Sequence, residues 1–143
     1  MILPLVFGLW VFYAILSGIR DAYAFSQRVS YENKILGLDI HKYIAGMRLV
    51  IAILVHTLLD VYYPISQSLM LTIGLFFVHP LFHNGAYFET RKKESKGQTY
   101  PDGFFTTKKK DDSSAIIDFN SASIRILLFV FGILLWSIVI RTN

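Results

Sequence analysis

HKYIAGMRLVIAILVHTLLDVYYP, residues 41–64, is the stretch of sequence that decides the fold. It is apolar enough to cross a membrane as a helix, yet it carries ionisable side chains within that span. At about 100° per residue, its small and polar side chains share one stripe, formed by His41, Ala45, Arg48, Ala52, His56 and Asp60. The opposite arc holds the large apolar side chains Tyr43, Met47, Val50, Ile51, Leu54 and Leu58. We therefore predict a membrane helix with a lipid face and an interior face.

The composition of the whole chain indicates the same class of protein. Apolar residues make up 54% of the 143 residues, and the charged residues, 17%, lie mostly between long apolar runs. A soluble fold would spread its charges along the chain. We predict an all-α integral membrane protein with four transmembrane helices in an antiparallel bundle, which forms a single membrane domain over residues 1–143. The predicted helices cover residues 1–25, 41–63, 65–88 and 123–141.

A polar segment at residues 90–122 is predicted to form a cytoplasmic loop. Within it, TYPDGFFTT (99–107) places a Pro-Asp-Gly turn between β-prone residues, which is typical of a small hairpin. The loop also carries two basic clusters, and each basic side chain near an anionic leaflet contributes about 1 kcal/mol of attraction. The predicted lipid-headgroup contacts are Arg91, Lys92, Lys93, Lys96, Lys108, Lys109 and Lys110.

The distribution of Lys and Arg predicts the topology. Apart from Arg48, which lies within a span, the basic residues fall on the side of the first and third connections, and the other side holds only Arg141. By the positive-inside rule that side is cytoplasmic, so both termini lie on the non-cytoplasmic side. The predicted location is a membrane, the cytoplasmic or inner membrane in a bacterium, with the lipid bilayer and its anionic headgroups as partners. Because the cations flank apolar runs, no nucleic-acid partner is expected.

Ionisable residues within the apolar runs are candidates for a functional site. Their depth follows from the helical rise of about 1.5 Å per residue. Five of them lie toward the cytoplasmic side: Asp21, His41, Arg48, His79 and His83. His56 and Asp60 form a secondary outer pair, at least about 10 Å from the histidines of the third helix along the membrane normal. A single metal site built from both groups is therefore not expected.

Three functional interpretations stay open. The cytoplasmic-side cluster could conduct or bind protons, ions or a small solute, because histidines titrate near neutral pH. Alternatively, His41, His79 and His83 could ligate haem or a divalent metal. In the third interpretation the polar side chains only hold helices together in a non-catalytic assembly, lesion or immunity protein. A homo-oligomer or a larger membrane complex is compatible with each.

The sequence offers little support for an enzyme. Walker, zincin and G-x-S-x-G motifs are absent, and the lack of cysteine excludes thiolate and iron–sulfur sites. A guanidinium inside a membrane needs a partner, and Asp21 lies at the depth of Arg48. Such an ion pair is either a structural lock between the first two helices or part of the site. The fourth helix has no ionisable residue in its middle and is predicted to serve packing.

Overall fold

The computed structural model describes residues 2–26, 40–97, 100–107, 119 and 121–142. It contains the helices α1 (Ile2–Ser26), α2 (Ile40–Asp60), α3 (Ile65–Glu94) and α4 (Ala122–Thr142), and a 3-10 helix at Gly103–Phe105. Over these ranges there is no β-strand. The predicted all-helical class with four helices is therefore confirmed.

Helix length and composition fit a membrane for three of the four helices. The apolar spans that are long enough to cross a bilayer are Ile2–Tyr23, Ile65–Glu94 and Ala122–Thr142. The 30 residues of α3 extend over about 45 Å, which exceeds the hydrocarbon thickness of about 30 Å. The predicted end of this helix at residue 88 is too early. The additional turns, which end in Arg91, Lys92 and Lys93, provide a surface onto which the following loop folds.

The central helix of the fold is α3, and glycines allow α1 and α4 to approach it closely. A Cβ atom at Gly18 of α1 would overlap the carbonyl oxygen of His83. On the α4 side, a Cβ at Gly74 would lie 2.6 Å from the ring of Trp136, and a Cβ at Gly132 would lie 2.6 Å from the carbonyl oxygen of Gly74. Real Cβ atoms do not approach other atoms this closely, so the helix spacing depends on these glycines.

Two tryptophans from different helices bind successive turns of α3. The indole Nε1 of Trp10 in α1 donates to the carbonyl oxygen of Leu75 at 2.8 Å, and that of Trp136 in α4 donates to Leu71 at 2.9 Å. Both indoles are buried, so a hydrogen-bond partner is required for each N–H. The surrounding core contains Val6, Ala52, Leu59, Leu71, Leu75 and Val139.

Helix α2 runs antiparallel to α3 and has two faces. Ala52 and Leu59 are buried against the core, whereas the predicted lipid-facing side chains Met47, Val50, Leu54 and Leu58 are exposed. Ile51 is an exception to the prediction, because it packs partly against the core at the edge of the interior stripe. The side chain of Tyr43 lies outside the described residues.

The loop at residues 100–107 does not contain the predicted hairpin. The predicted turn is present, since the amide of Gly103 donates to the carbonyl of Tyr100 at 2.8 Å, but a 3-10 helix follows it. Tyr100 and Gly103 both adopt left-handed backbone conformations, with φ of 55° and 54°. These residues turn the chain back toward α3, where Tyr100 packs on Phe88 with ring centres 4.9 Å apart. Extended strands are therefore replaced by a compact turn.

We call residues 100–107 the loop cap, and two polar contacts bind it to the helices. The amide of Phe104 donates to Glu89 of α3 at 3.2 Å. Arg125 at the start of α4 is fully buried, and its Nη2 donates to the carbonyl of Thr106 at 2.8 Å. The Arg125 guanidinium also lies over the ring of Phe88, 5.1 Å from its centre. The loop cap is thus fastened to both α3 and α4.

Candidate functional site

Three helices contribute to a polar cluster at the end of α1. Nη2 of Arg48 lies 3.0 Å from Oδ2 of Asp21, 2.8 Å from Nε2 of His83 and 3.3 Å from Oγ of Ser17. We call these four residues the inner cluster. The side chains of His83 and Asp21 are only 6% and 12% exposed, whereas Arg48 is 33% exposed. The site is therefore closed on the α1 and α3 side and more open on the α2 side.

The helical geometry explains why these side chains meet. Ser17 and Asp21 are four residues apart, so they lie on one face of α1. Gly18, between them, allows that part of α1 to touch the backbone of α3 at His83. Arg48 belongs to the polar stripe of α2 and reaches both helices with its long side chain. Arg48 thus forms an ion pair with Asp21. The sequence predicts this partner because the two residues lie at similar depths along the membrane normal.

Both oxygens of the Asp21 carboxylate are occupied. Oδ1 accepts from Nη2 and Nε of Arg20, at 2.7 and 3.1 Å, and Oδ2 faces Arg48 and His83. Two guanidinium groups therefore share one carboxylate. With a neutral His83, the four ionisable groups carry one positive charge more than they carry negative charge.

Asn84 determines which ring nitrogen of His83 carries a hydrogen. Nδ1 of His83 lies 2.9 Å from Oδ1 of Asn84, an atom that only accepts hydrogen bonds. The amide orientation follows from the other contact of Asn84, whose Nδ2 donates to the carbonyl of Phe119 at 3.3 Å. Nδ1 must therefore be the donor. A neutral His83 consequently presents the lone pair of Nε2 to the inner cluster.

One atom of the inner cluster has two alternative bonding states. Nε2 of His83 lies 2.8 Å from a donor, Nη2 of Arg48, and 3.1 Å from an acceptor, Oδ2 of Asp21. In the neutral ring Nε2 accepts from Arg48. In the imidazolium, Nε2–H donates to Asp21 and a second cation then faces the Arg48 guanidinium. Protonation of Nε2 therefore changes the hydrogen-bond partner of His83 from Arg48 to Asp21. The Arg48 guanidinium then loses one of its acceptors.

The secondary outer pair gains partners from α3. Nε2 of His56 lies 3.5 Å from Oδ2 of Asp60, and its Nδ1 lies 3.2 Å from Oγ1 of Thr72. Ser68 donates its hydroxyl to Asp60, and the Thr72 hydroxyl donates to the carbonyl of Ser68 at 2.8 Å. Because the Thr72 hydrogen is used in that way, Nδ1 of His56 is the donor to Thr72. We call these four residues the outer cluster.

The predicted haem or metal ligands do not assemble in the part of the chain that the structure describes. His79 stacks on His83 with ring centres 5.1 Å apart and an angle of 21° between the planes. Both nitrogens of His83 already lie at hydrogen-bond distance from protein groups. No group of three His, Asp or Glu side chains is placed to hold a metal ion within this part. The side chain of His41 lies outside it.

The predicted headgroup contacts divide between two segments. Arg91, Lys92, Lys93 and Lys96 lie at the C-terminal end of α3, and Nη1 of Arg91 is 3.8 Å from a carboxylate oxygen of Glu94. Lys108, Lys109 and Lys110 lie outside the described residues. Contact of either segment with lipid stays a prediction.

Sequence reasoning missed two polar residues with structural roles, Asn84 and Arg125. Asn84 follows a predicted site histidine directly, and its amide was a detectable signal for an orienting partner. Arg125 lies just before an apolar run, so by sequence it counts only among the basic residues that set the membrane orientation. Its burial depends on the loop cap.

Comparisons of the chain with protein-family models, curated proteins and solved structures found no match.

Proposed function

We propose that the chain is an integral membrane protein with four membrane-spanning helices and with both termini on the non-cytoplasmic side. The three long apolar helices support this location. Helix α2 has 21 residues, which extend over about 32 Å, and it exposes a continuous apolar face that suits lipid. The distribution of Lys and Arg supports the orientation, with the inner cluster toward the cytoplasm.

The proposed activity is proton movement through the bundle, with the inner cluster as a proton-binding position. The observation that carries this proposal is the position of His83 Nε2 between a donor on Arg48 and an acceptor on Asp21. A group that exchanges partners on protonation can take up a proton on one side and release it on another.

The polar stripe of α3 supplies the proposed route. Thr72, His79 and His83 project from one side of the helix within an arc of about 40°. Thr72 belongs to the outer cluster, which lies about 17 Å along α3 from His83, and His79 lies between them in contact with His83. Transfer over the interval between Thr72 and His79 would be mediated by water. The outer and inner clusters are then the two ends of one route.

Proton flux into liposomes tests this proposal. The full chain is reconstituted with an internal pH-sensitive dye, and a potassium diffusion potential drives protons. We expect a flux in the wild type that falls to the level of empty liposomes in His83→Gln, because glutamine cannot gain a proton. Thr57→Val, a change on the exposed face of α2, is the matched control and should leave the flux unchanged. Equal flux in wild type and His83→Gln would refute the proton route.

A non-catalytic role is the second candidate, and the close packing at the site favours it. Gly18 brings α1 against the backbone of α3, and Asp21 is bonded through both of its oxygens. In that case the inner cluster only joins three helices. Wild-type liposomes without flux, together with a lower melting temperature of His83→Gln, would support this role.

A further inference from the structure

Two arginines compete for one carboxylate at the end of α1. Arg20 occupies Oδ1 of Asp21 and Arg48 occupies Oδ2. In the described parts of the chain, neither guanidinium pairs with any other acidic side chain. The arginines are therefore neighbours across a single carboxylate, and one of their two positive charges is not compensated by it.

Among the described residues, the Nη1 groups of both arginines have no hydrogen-bond acceptor. Each guanidinium has five N–H donors, two of them on Nη1. Arg20 uses Nε and Nη2, and Arg48 uses Nη2. Nε of Arg48 is buried and has no acceptor among the described residues, so the unused donors of Arg48 that an outside acceptor can reach are those on Nη1. The side chains are 55% and 33% exposed, so an acceptor from outside the chain can reach them.

The position of the two arginines along the bundle fits the level of lipid phosphate groups. Arg20 lies in the last turn of the apolar span Ile2–Tyr23, whose 22 residues extend over about 33 Å. A hydrocarbon core is about 30 Å thick, so that turn lies at its boundary. The surface beside Arg20 is also open, since Tyr23, three residues further along the same face of α1, is 49% exposed.

We infer that Arg20 and Arg48 form a binding site for a phosphate anion, supplied by an anionic lipid headgroup or by free phosphate. Planar guanidinium groups bind phosphate oxygens through paired, charge-assisted hydrogen bonds. The anion would compensate the excess positive charge and accept from the unused N–H groups. The inference rests on the proposed membrane location but not on proton movement through His83, so either proposal can fail without the other.

Lipid retention measured by native mass spectrometry tests the site. The full chain in neutral detergent is titrated with phosphatidylglycerol or with phosphatidylcholine. We expect the wild type to retain phosphatidylglycerol preferentially and Arg20→Gln to lose that preference. Arg20 is the residue to change because Arg48 and His83 still bind Asp21 in its absence. Arg141→Gln removes one positive charge from the exposed end of α4, away from the predicted headgroup contacts, and should keep the preference.

A second titration separates the two sources of the anion. Inorganic phosphate is added without lipid, and the melting temperature of the same three proteins is followed. A phosphate-dependent rise that Arg20→Gln loses and Arg141→Gln keeps assigns the site to a free anion. Specific retention of phosphatidylglycerol without such a rise assigns it to lipid.

Two results would overturn the inference. One is an unchanged lipid preference and an unchanged phosphate response in Arg20→Gln. The other is an equal loss in Arg141→Gln, which would show that only the net charge of the protein matters. If Arg20→Gln does not fold, Arg20→Lys replaces it, because lysine keeps the charge but lacks the guanidinium fork. Retention of the full preference in Arg20→Lys would then exclude the paired hydrogen bonds.

Discussion

Nδ1 of His83 lies 2.9 Å from the side-chain oxygen of Asn84, and this contact sets the direction of the hydrogen bond between a neutral His83 and Arg48. Asn84 is itself held by the carbonyl of Phe119, which precedes α4. A residue outside the ion pair therefore decides that Nε2, and not Nδ1, faces Arg48. The inner cluster has an orienting residue as well as ionisable ones.

Replacement of Asn84 by leucine should allow the neutral ring of His83 to adopt both tautomers instead of one. Leucine has a similar volume but accepts no hydrogen bond, so Nδ1 loses its partner at a cost of about 1 kcal/mol or more. Nitrogen NMR of protein labelled at histidine should show one neutral tautomer for His83 in the wild type and a mixture in Asn84→Leu. Gln67→Leu, at the other end of α3, is the matched control. A single unchanged tautomer in Asn84→Leu would contradict the orienting role.

Replacement of Gly18 by alanine should separate α1 from α3. The new Cβ would overlap the carbonyl of His83, and the helices must move apart to accommodate it. We expect a loss of about 1 to 3 kcal/mol in the free energy of unfolding, typical of overpacked sites. Denaturation in detergent measures this change.

Gly8→Ala is the matched control, since a Cβ at Gly8 has no neighbour within 4 Å. This variant should be at least as stable as the wild type, because alanine favours the helix. Equal stability of Gly18→Ala and Gly8→Ala would show that the close contact between α1 and α3 is not required.

Replacement of Arg125 by lysine should loosen the loop cap. Lysine keeps the charge but cannot both reach the carbonyl of Thr106 and lie flat over Phe88. A hydrogen bond from a charged group contributes about 1.5 to 3 kcal/mol, so amide exchange in residues 100–107 should become about ten- to a hundredfold faster. Arg141→Lys, an exposed change in the last turn of α4, should leave this exchange unchanged. Protection that survives in Arg125→Lys would contradict the fastening role.

Helix geometry accounts for what could be predicted from the sequence. A regular rise and turn angle fix both the depth and the face of a residue, so Arg48 falls opposite Asp21 and Ala52 falls inside. The same regularity keeps His56 apart from His83. These positions can therefore be predicted without knowing the conformation of the loops.

The remaining features depend on irregular backbone, which hydropathy and helical period do not describe. The loop cap forms because Tyr100 adopts a left-handed conformation, unusual for a residue with a side chain, and the predicted hairpin fails for that reason. Burial of Arg125 follows from the loop cap and not from its own position before an apolar run. The partner of Asn84 is a backbone carbonyl of Phe119, to which a pattern of side chains gives no signal.

The two tryptophan contacts make the packing of helices on α3 observable by intrinsic fluorescence. The chain contains two tryptophans, and both donate to carbonyls of α3 that are one helical turn apart. Intrinsic fluorescence therefore reports the docking of α1 and α4 on α3, while α2 carries no indole. A change that detaches only α2, and with it Arg48, removes the packing of Ala52 and Leu59 but keeps both indole hydrogen bonds, whereas loss of either flanking helix also breaks one of those bonds and shifts the emission further. Intrinsic fluorescence thus distinguishes detachment of α1 or α4 from detachment of α2, the helix that bears Arg48.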